Sequence, residues 1–436
     1  MIVPFPIVAP SNPEGHPVYR LLAPLEPVRV RFAATLSMFL LRNPTLGGWF
    51  GGSLSLWDLV VGEIVYGRHV SSQATMWRAR QRVLGDTFAS FRAVIACNAT
   101  EVERLIEHTP PTLRRTHAFV GQYAQADLLS PSTFLFSEGP VHDHHRAVLV
   151  GAVMQRANPG AEADLDALLR AWRLSGDFGP AAIEGCLTRA THRLLLGVRL
   201  DDAQVGAALR WQHTFFSPVM FAPRWARRTL LAGAQRRLDS ARVTLEAAYA
   251  AGSVVQEISS RPDGMPATEL ATMLFEVLNL NGAAIQSIAL RVVRVLAERP
   301  ELQATLRAEH QRLGISPAEG VSAVKLAEAR QTEHFVLEIL RLYTRVTTVQ
   351  WRSEEPFTVV IGGRPTAFPA GTLRCANLAT ANVDPSAFPE PYALKLDRDY
   401  ARFMNFNGVV SPRACPGRGF AIGMLVRFVV HALAEG

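Results

Sequence analysis

The chain of 436 residues contains only four cysteines, Cys97, Cys186, Cys375 and Cys415, and no two of them form a Cys-x-x-Cys pair. Their irregular spacing argues against a disulfide framework and against a zinc site. It is typical of a protein from a reducing compartment. A single cysteine with its own local setting is therefore the more informative feature to look for.

Long apolar runs are scarce near the N-terminus. The best one, Phe32–Leu41, contains Thr35 and Ser37. It is shorter than the roughly 20 residues that a membrane-spanning helix needs, and no signal-peptide pattern precedes it. We therefore expect a soluble, cytoplasmic protein without a transmembrane anchor.

No Ser/Gly linker, repeat, low-complexity tract or charge block divides the chain. We therefore expect one domain over residues 1–436. The net charge is +7, but the arginines are dispersed, which is typical of solvated surface. The charge pattern argues against a nucleic-acid partner.

Hydrophobic periodicity predicts a mainly α-helical fold with a minor β portion. We expect an irregular N-terminal arm with short helices over 1–58, a helical core over 141–345, a β-rich and meander region over 346–400, and a cysteine loop with a last helix over 405–436. Within the core, Leu270–Ala297 reads as a helix buried on most faces. Further helices are expected at Ala99–His108 and Ala323–Thr344, and strands at Leu59–Val65, Phe91–Ala96, Thr347–Arg352, Phe357–Ile361 and Thr372–Ala376.

Cys415 lies in a Pro/Gly loop between Arg413 and Arg418, just before an amphipathic stretch, Ala421–Leu433. The amides and dipole at a helix N-terminus stabilise negative charge. We therefore expect a lowered thiol pKa and a thiolate, the form that binds metal. One cysteine suffices when the metal arrives inside a macrocycle, as in haem bound by a thiolate. The alternative is a buried, inert cysteine.

Glu338 and Arg341 lie three residues apart in an apolar helical segment. A buried ion pair of this kind needs further partners. Arg398, which follows Phe388-Pro389-Glu390-Pro391, is the candidate that completes the network.

In this order and spacing, the motifs of roughly residues 115–434 resemble those of the cytochrome P450 superfamily. The resemblance implies the cytochrome P450 fold, with haem b bound through Cys415. The matching segments are Glu338-x-x-Arg341, Ala370-Gly371-Thr372, Ala381-Asn382-Val383-Asp384-Pro385, Phe388-Pro389-Glu390-Pro391, Arg398 and Arg413-Ala414-Cys415-Pro416-Gly417.

The segment Gly139–Arg146 is similar to the family's His-x-x-x-Arg helix. This resemblance implies that the haem propionates accept hydrogen bonds from four residues, and arginine gives charge-assisted bonds to such anions. The four donors are His142, Arg146, Arg352 and Arg413. The alternative is a metal site formed by the clustered histidines His142, His144 and His145.

The buried helix departs from the family's oxygen-activating pattern. Counting back from Pro300 places Ala283 and Ala284 where an acid and an alcohol relay protons to bound oxygen, and neither alanine can carry a proton. The segment Asn279-Leu280-Asn281-Gly282-Ala283 is similar instead to the Asn-x-x-Gly-Gly of allene oxide synthases and hydroperoxide lyases. Phe406-Asn407-Gly408 resembles the entry to their cysteine loop.

Substrates of those enzymes already contain an O–O bond, so no external electrons, oxygen or redox partner are required. The resemblance implies rearrangement or cleavage of a lipid hydroperoxide, a small hydrophobic substrate, with homolytic cleavage of its O–O bond. Asn279, or Asn281 as second choice, would hydrogen-bond the distal oxygen, and Gly282 would let the helix approach the haem. The alternative functions are a biosynthetic monooxygenase or peroxygenase, and a haem-binding protein without turnover. The alternative role of the two asparagines is purely structural.

Overall fold

The computed structural model describes residues 25–43, 45, 46, 54, 58, 70–90, 93–107, 139–154, 161–215, 229, 231–261, 264–407 and 414–434. Three sequence-based predictions lie outside these residues: the strand Leu59–Val65, the contact of Arg413, and the loop entry at Gly408. Within the expected N-terminal arm, residues 26–42 form a continuous helix of 17 residues.

Helices make up most of the described chain. Their bounds are α1 Glu26–Arg42, α2 Val70–Leu84, α3 Ala99–Glu107, α4 Gly139–Ala147, α5 Ala161–Ser175, α6 Pro180–Leu196, α7 Asp202–Phe215, α8 Ala232–Ala250, α9 Ser253–Ser259, α10 Ala267–Glu298, α11 Pro300–Arg312, α12 Ala323–Glu328, α13 Arg330–Leu342, α14 Leu378–Ala381 and α15 Arg418–Ala432. A π-helical turn, Val148–Met154, continues α4, and Asn405–Asn407 is a 3₁₀ turn.

The β portion consists of a four-stranded sheet and a hairpin. The strands of the sheet are β1 Thr87–Ala89, β2 Ala93–Ala96, β3 Thr348–Arg352 and β6 Leu373–Asn377, and those of the hairpin are β4 Phe357–Ile361 and β5 Arg364–Phe368. The sheet has the order β1-β2-β6-β3, with β2 and β6 parallel and the other neighbours antiparallel. In the hairpin, Gly362 and Gly363 have φ of +57° and +78°, as a tight two-residue turn requires.

Helix α10 is the central element, as the sequence predicted. Of the helices in the described ranges, it is the one long and apolar enough to cross a membrane, but 67% of that apolar window is buried inside the protein. It packs against α6, α8, α13 and α15. The predicted helix Ala323–Thr344 is instead two helices, because the chain leaves helical geometry at Ala329.

Two apolar clusters pack along α10. The first joins its N-terminal half to α7 and α8 through Trp211, Tyr249 and Phe275. The second joins its C-terminal half to α5, α13 and α15 and includes Trp172 and Phe428, whose rings stack at 4.7 Å. Burying each large side chain contributes roughly 1.5–3 kcal/mol. These contacts hold the start of α15 against the middle of α10.

Candidate active site

A cavity of about 340 Å³ lies between the middle of α10, the start of α15, α4 and β3. Its volume is within the roughly 300–1,000 Å³ typical of ligand sites. Apolar side chains form most of the wall, among them Val277, Ile285 and Phe420. Of the described residues that line it, none is an aspartate or a glutamate.

Cys415 lies in the wall of this cavity, opposite α10. Its backbone N–H donates to the carbonyl oxygen of Phe406 at 2.8 Å, and α15 begins three residues later at Arg418. The surroundings of Cys415 do not give the expected lowering of the thiol pKa. Burial raises the pKa of the Cys415 thiol, and the backbone of Gly417 and the charge of Arg146 only oppose that rise.

The other three cysteines are buried away from the cavity. Burial raises the pKa of Cys97 and Cys186 to about 12 and raises that of Cys375 as well. Buried thiols in apolar surroundings are inert. Cys415 is therefore the cysteine available to a ligand in the cavity.

Three basic residues line the wall: His142 and Arg146 from α4, and Arg345. Arg146 Nη1 donates to the carbonyl oxygen of Ala414 at 3.0 Å, next to Cys415. Burial lowers the pKa of Arg345 to about 10. A guanidinium in an apolar wall favours an anionic ligand group that can accept charge-assisted hydrogen bonds. Arg345 belongs to no sequence motif, and the sequence analysis missed it.

Arg352 is not brought to the cavity. Its side chain is exposed and donates to the carbonyl oxygen of Gly371 at 2.6 Å, because it lies at the end of β3 beyond the cavity wall. Gln350 of the same strand lines the wall instead. This placement does not support the expected propionate contact of Arg352.

The alternative metal site of three histidines is not supported. His142 and His145 are buried, whereas His144 is exposed. The rings of His144 and His145 are 6.2 Å apart. No group of three potential ligands converges anywhere in the described ranges. The physical reason is helical geometry, since residues two apart on α4 point to different faces.

The two asparagines of α10 point in different directions. Asn281 and Gly282 line the cavity, and Ala284 lies beside them. Asn279 is fully buried elsewhere and donates to the carbonyl oxygen of Phe275 at 2.8 Å. The placement of Asn279 does not support its first-choice assignment to the reacting oxygen. Asn279 follows the structural alternative, in which backbone carbonyls satisfy a buried amide.

Glu338, Arg341 and Arg398 form one buried network. Arg341 donates to both carboxylate oxygens of Glu338, at 2.6 and 2.9 Å, and Arg398 Nε lies 3.2 Å from the same carboxylate. Both arginines also donate to backbone carbonyls of the segment 382–393, at 2.6 to 3.3 Å. The network ties α13 to the segment that leads to the cysteine loop.

Residues 271–435 match the family model of cytochrome P450. The structure is similar to that of retinoic acid bound cyanobacterial CYP120A1, with a TM-score of 0.63 and 16% identity over 82% of this chain and 86% of that chain. The chain has the cytochrome P450 fold. Its mainly helical class with a small β portion is as the sequence predicted. No curated protein matches the sequence.

The family match supports a haem-thiolate enzyme and implies a haem iron cofactor. The cavity of this P450 fold fits such a group in its chemistry. It combines one cysteine, apolar walls and three basic residues, His142, Arg146 and Arg345. The thiolate of Cys415 would bind the iron, and the basic residues would pair with the propionates.

Proposed function

We propose that this protein is a haem b enzyme that rearranges or cleaves a lipid hydroperoxide without external electrons or oxygen. The observation that carries the proposal is the composition of the cavity wall on α10. Ala284 lies where an alcohol would relay protons, the neighbouring position is Ala283, and no carboxylate lines the described wall. A substrate that already contains an O–O bond does not need that relay.

Residues on two sides of the cavity would hold the cofactor. Cys415 would bind the iron through its thiolate, and His142, Arg146 and Arg345 would pair with the propionates. When bound, thiolate-ligated haem supplies the electron density that favours O–O cleavage. The apolar wall would hold the lipid chain and keep water out.

Asn281 takes the role first expected of Asn279. Its amide lines the cavity, and an N–H donor there would hydrogen-bond the oxygen on which charge or spin develops. The hydroxyl of Thr191, also in the wall, is directed at the sulfur of Met424 at 3.7 Å. The amide of Asn281 would therefore orient a substrate oxygen, and an amide does not deliver protons.

The second candidate is a monooxygenase or peroxygenase in which the substrate supplies the missing proton. The ligand of the similar CYP120A1 structure, retinoic acid, is an apolar molecule with an acidic group. A substrate of that type would fit a cavity whose wall is mostly apolar and includes Arg146 and Arg345.

A double substitution separates the two candidates. Ala283→Asp with Ala284→Thr restores an acid and an alcohol on α10. With NADPH, a ferredoxin system and oxygen, we expect little product from the wild type and more from the double variant. A wild-type protein that is as active with oxygen as the double variant would overturn the proposal.

A further inference from the structure

The solvent-facing side of helix α1 carries large apolar side chains. Val28, Phe32 and Phe39 are 68%, 69% and 54% exposed, and no other described phenylalanine is exposed. At about 100° per residue, these three positions lie within about 40° of one another around the helix axis. They form one apolar stripe about 16 Å long, which we call the α1 stripe.

This arrangement reverses the usual one, in which a surface helix turns its apolar face to the core. Helix α1 packs against α2 and β1, and its buried residues are Glu26, Val30, Ser37 and Leu40. Two of these four buried residues are polar, whereas the exposed stripe is apolar. Single exposed apolar side chains need no explanation, but contiguous ones mark an interaction site.

The charges beside the α1 stripe are positive. Arg31 and Arg42 are exposed, and neither forms an ion pair with another described residue. By helical phase, both lie on the same flank of the stripe. The one carboxylate of α1, that of Glu26, is buried and accepts two hydrogen bonds from Arg29, both at 2.6 Å. The charge that α1 presents beside the stripe is therefore positive.

These features fit an anionic lipid surface better than a second copy of the chain. A stable protein interface buries roughly 800 Å² on each partner, far more than three side chains can cover. An apolar face with arginines beside it is typical of a helix that lies in the surface of a membrane. There the aromatic side chains enter the acyl boundary, and the arginines attract anionic headgroups.

We propose that α1 is a peripheral docking helix, which places Val28, Phe32 and Phe39 in the surface of a membrane that contains anionic lipid. Because its other side is packed against α2 and β1, the helix lies on the bilayer and does not span it. The inference goes beyond the proposed function and does not depend on which reaction the cavity supports.

Co-sedimentation of the haem-loaded protein with lipid vesicles tests this inference. One set of vesicles is phosphatidylcholine alone, and the other is an equal mixture of phosphatidylcholine and phosphatidylglycerol. We expect the wild type to bind the mixture more tightly, and high salt to weaken that binding. Phe32→Ser should lower the partition coefficient about 10-fold, the value of one large apolar side chain. Its haem content and denaturation midpoint should stay at the wild-type values, because the side chain is exposed.

Two matched pairs of variants serve as controls. Val28 and Val243, which lies on α8, are both 68% exposed, and only Val28→Ser should weaken binding. Arg31→Gln should lower binding to the mixed vesicles about 5-fold, the value of one arginine near an anionic surface. Arg237→Gln, at another exposed position of α8, should leave the binding unchanged.

Absence of vesicle binding by the wild type overturns the inference, and so does equal weakening in Val28→Ser and Val243→Ser. Equal binding of the wild type to both kinds of vesicle also overturns it, because the arginines would then have no role. Analytical ultracentrifugation tests the other occupant. A wild-type dimer that Phe32→Ser dissociates, in a protein that ignores vesicles, would assign the α1 stripe to a contact between copies instead.

Discussion

The backbone N–H of Cys415 donates a hydrogen bond to the carbonyl oxygen of Phe406 at 2.8 Å. Both residues line the cavity. Phe406 has a φ of +63°, a left-handed conformation that costs a non-glycine residue of order 1–3 kcal/mol. The bond holds the cysteine loop against the 3₁₀ turn. It fixes where the thiol meets the cavity.

Cys415→Ala should abolish the thiolate-type absorption band of the ferrous–CO complex. Of the four cysteines, Cys415 alone lines the cavity, so no other thiol can replace it. Cys97→Ala and Cys375→Ala are the controls and should keep the band. Retention of the band in Cys415→Ala would show that the ligand is assigned to the wrong residue.

Glu338→Ala should destabilise the protein by roughly 3–5 kcal/mol, because it leaves two arginines buried without their carboxylate. Chemical denaturation and the haem content of the purified protein measure this effect. Glu333→Ala on the same helix is the control, since the Arg330–Glu333 pair is more exposed and such pairs contribute about 0–1 kcal/mol. Equal stability losses in the two variants would refute a special role for the buried network.

Asn281→Ala should slow turnover of a lipid hydroperoxide on the order of 10²-fold, the typical effect of losing one preorganised donor. Its haem content should stay unchanged. Asn279→Ala should instead lower the free energy of unfolding, because the carbonyl oxygen of Phe275 and the hydroxyl of Tyr249 both lose a hydrogen-bond donor. If Asn279→Ala slowed turnover by the folded protein more than Asn281→Ala does, the assignment of Asn281 to the reacting oxygen would be wrong.

His192 should make the stability depend on pH. Burial lowers the pKa of His192 to about 4, whereas an unfolded histidine titrates near 6.5. Between these values the unfolded chain binds the extra proton, so stability rises with pH from about 4 to 6.5 and then levels off. This residue contributes up to about 1.4 kcal/mol per pH unit.

Denaturation midpoints of the wild type and of His192→Asn, measured at pH 5 and at pH 7, check this prediction. Asparagine keeps an N–H donor for the carbonyl oxygen of Thr188 but does not titrate. The wild type should lose more stability than the variant on going to pH 5. The same loss in both proteins would mean that His192 is not held neutral by burial.

Some features of the site follow from the sequence alone. Glu338 and Arg341 are three residues apart in an apolar helix, and a buried ion pair needs a further partner. Arg398 was the candidate for that partner, and it lies 3.2 Å from the Glu338 carboxylate. The buried helix α10 followed from its predominantly apolar sequence. In both cases a local rule of spacing and burial decides the outcome.

Other features depend on helical phase and on the shape of the cavity. Because α10 is apolar on most faces, its sequence does not reveal whether Asn279 or Asn281 faces the cavity. The sign of the Cys415 pKa shift depends on burial, which outweighs the backbone hydrogen bond of Gly417 and the charge of Arg146. Arg345 reaches the wall from the turn after α13, where no motif marks it.

The central claim is that the substrate brings its own O–O bond to a cavity without a proton relay. The most direct test incubates the ferric haem-loaded protein with a panel of lipid hydroperoxides, without oxygen and without any reductant, and follows substrate loss and products. We predict that the hydroperoxides are turned over in the absence of both oxygen and reductant. Hydroperoxides left untouched, with rapid hydroxylation of a lipid once oxygen and a reductase are supplied, would contradict the account.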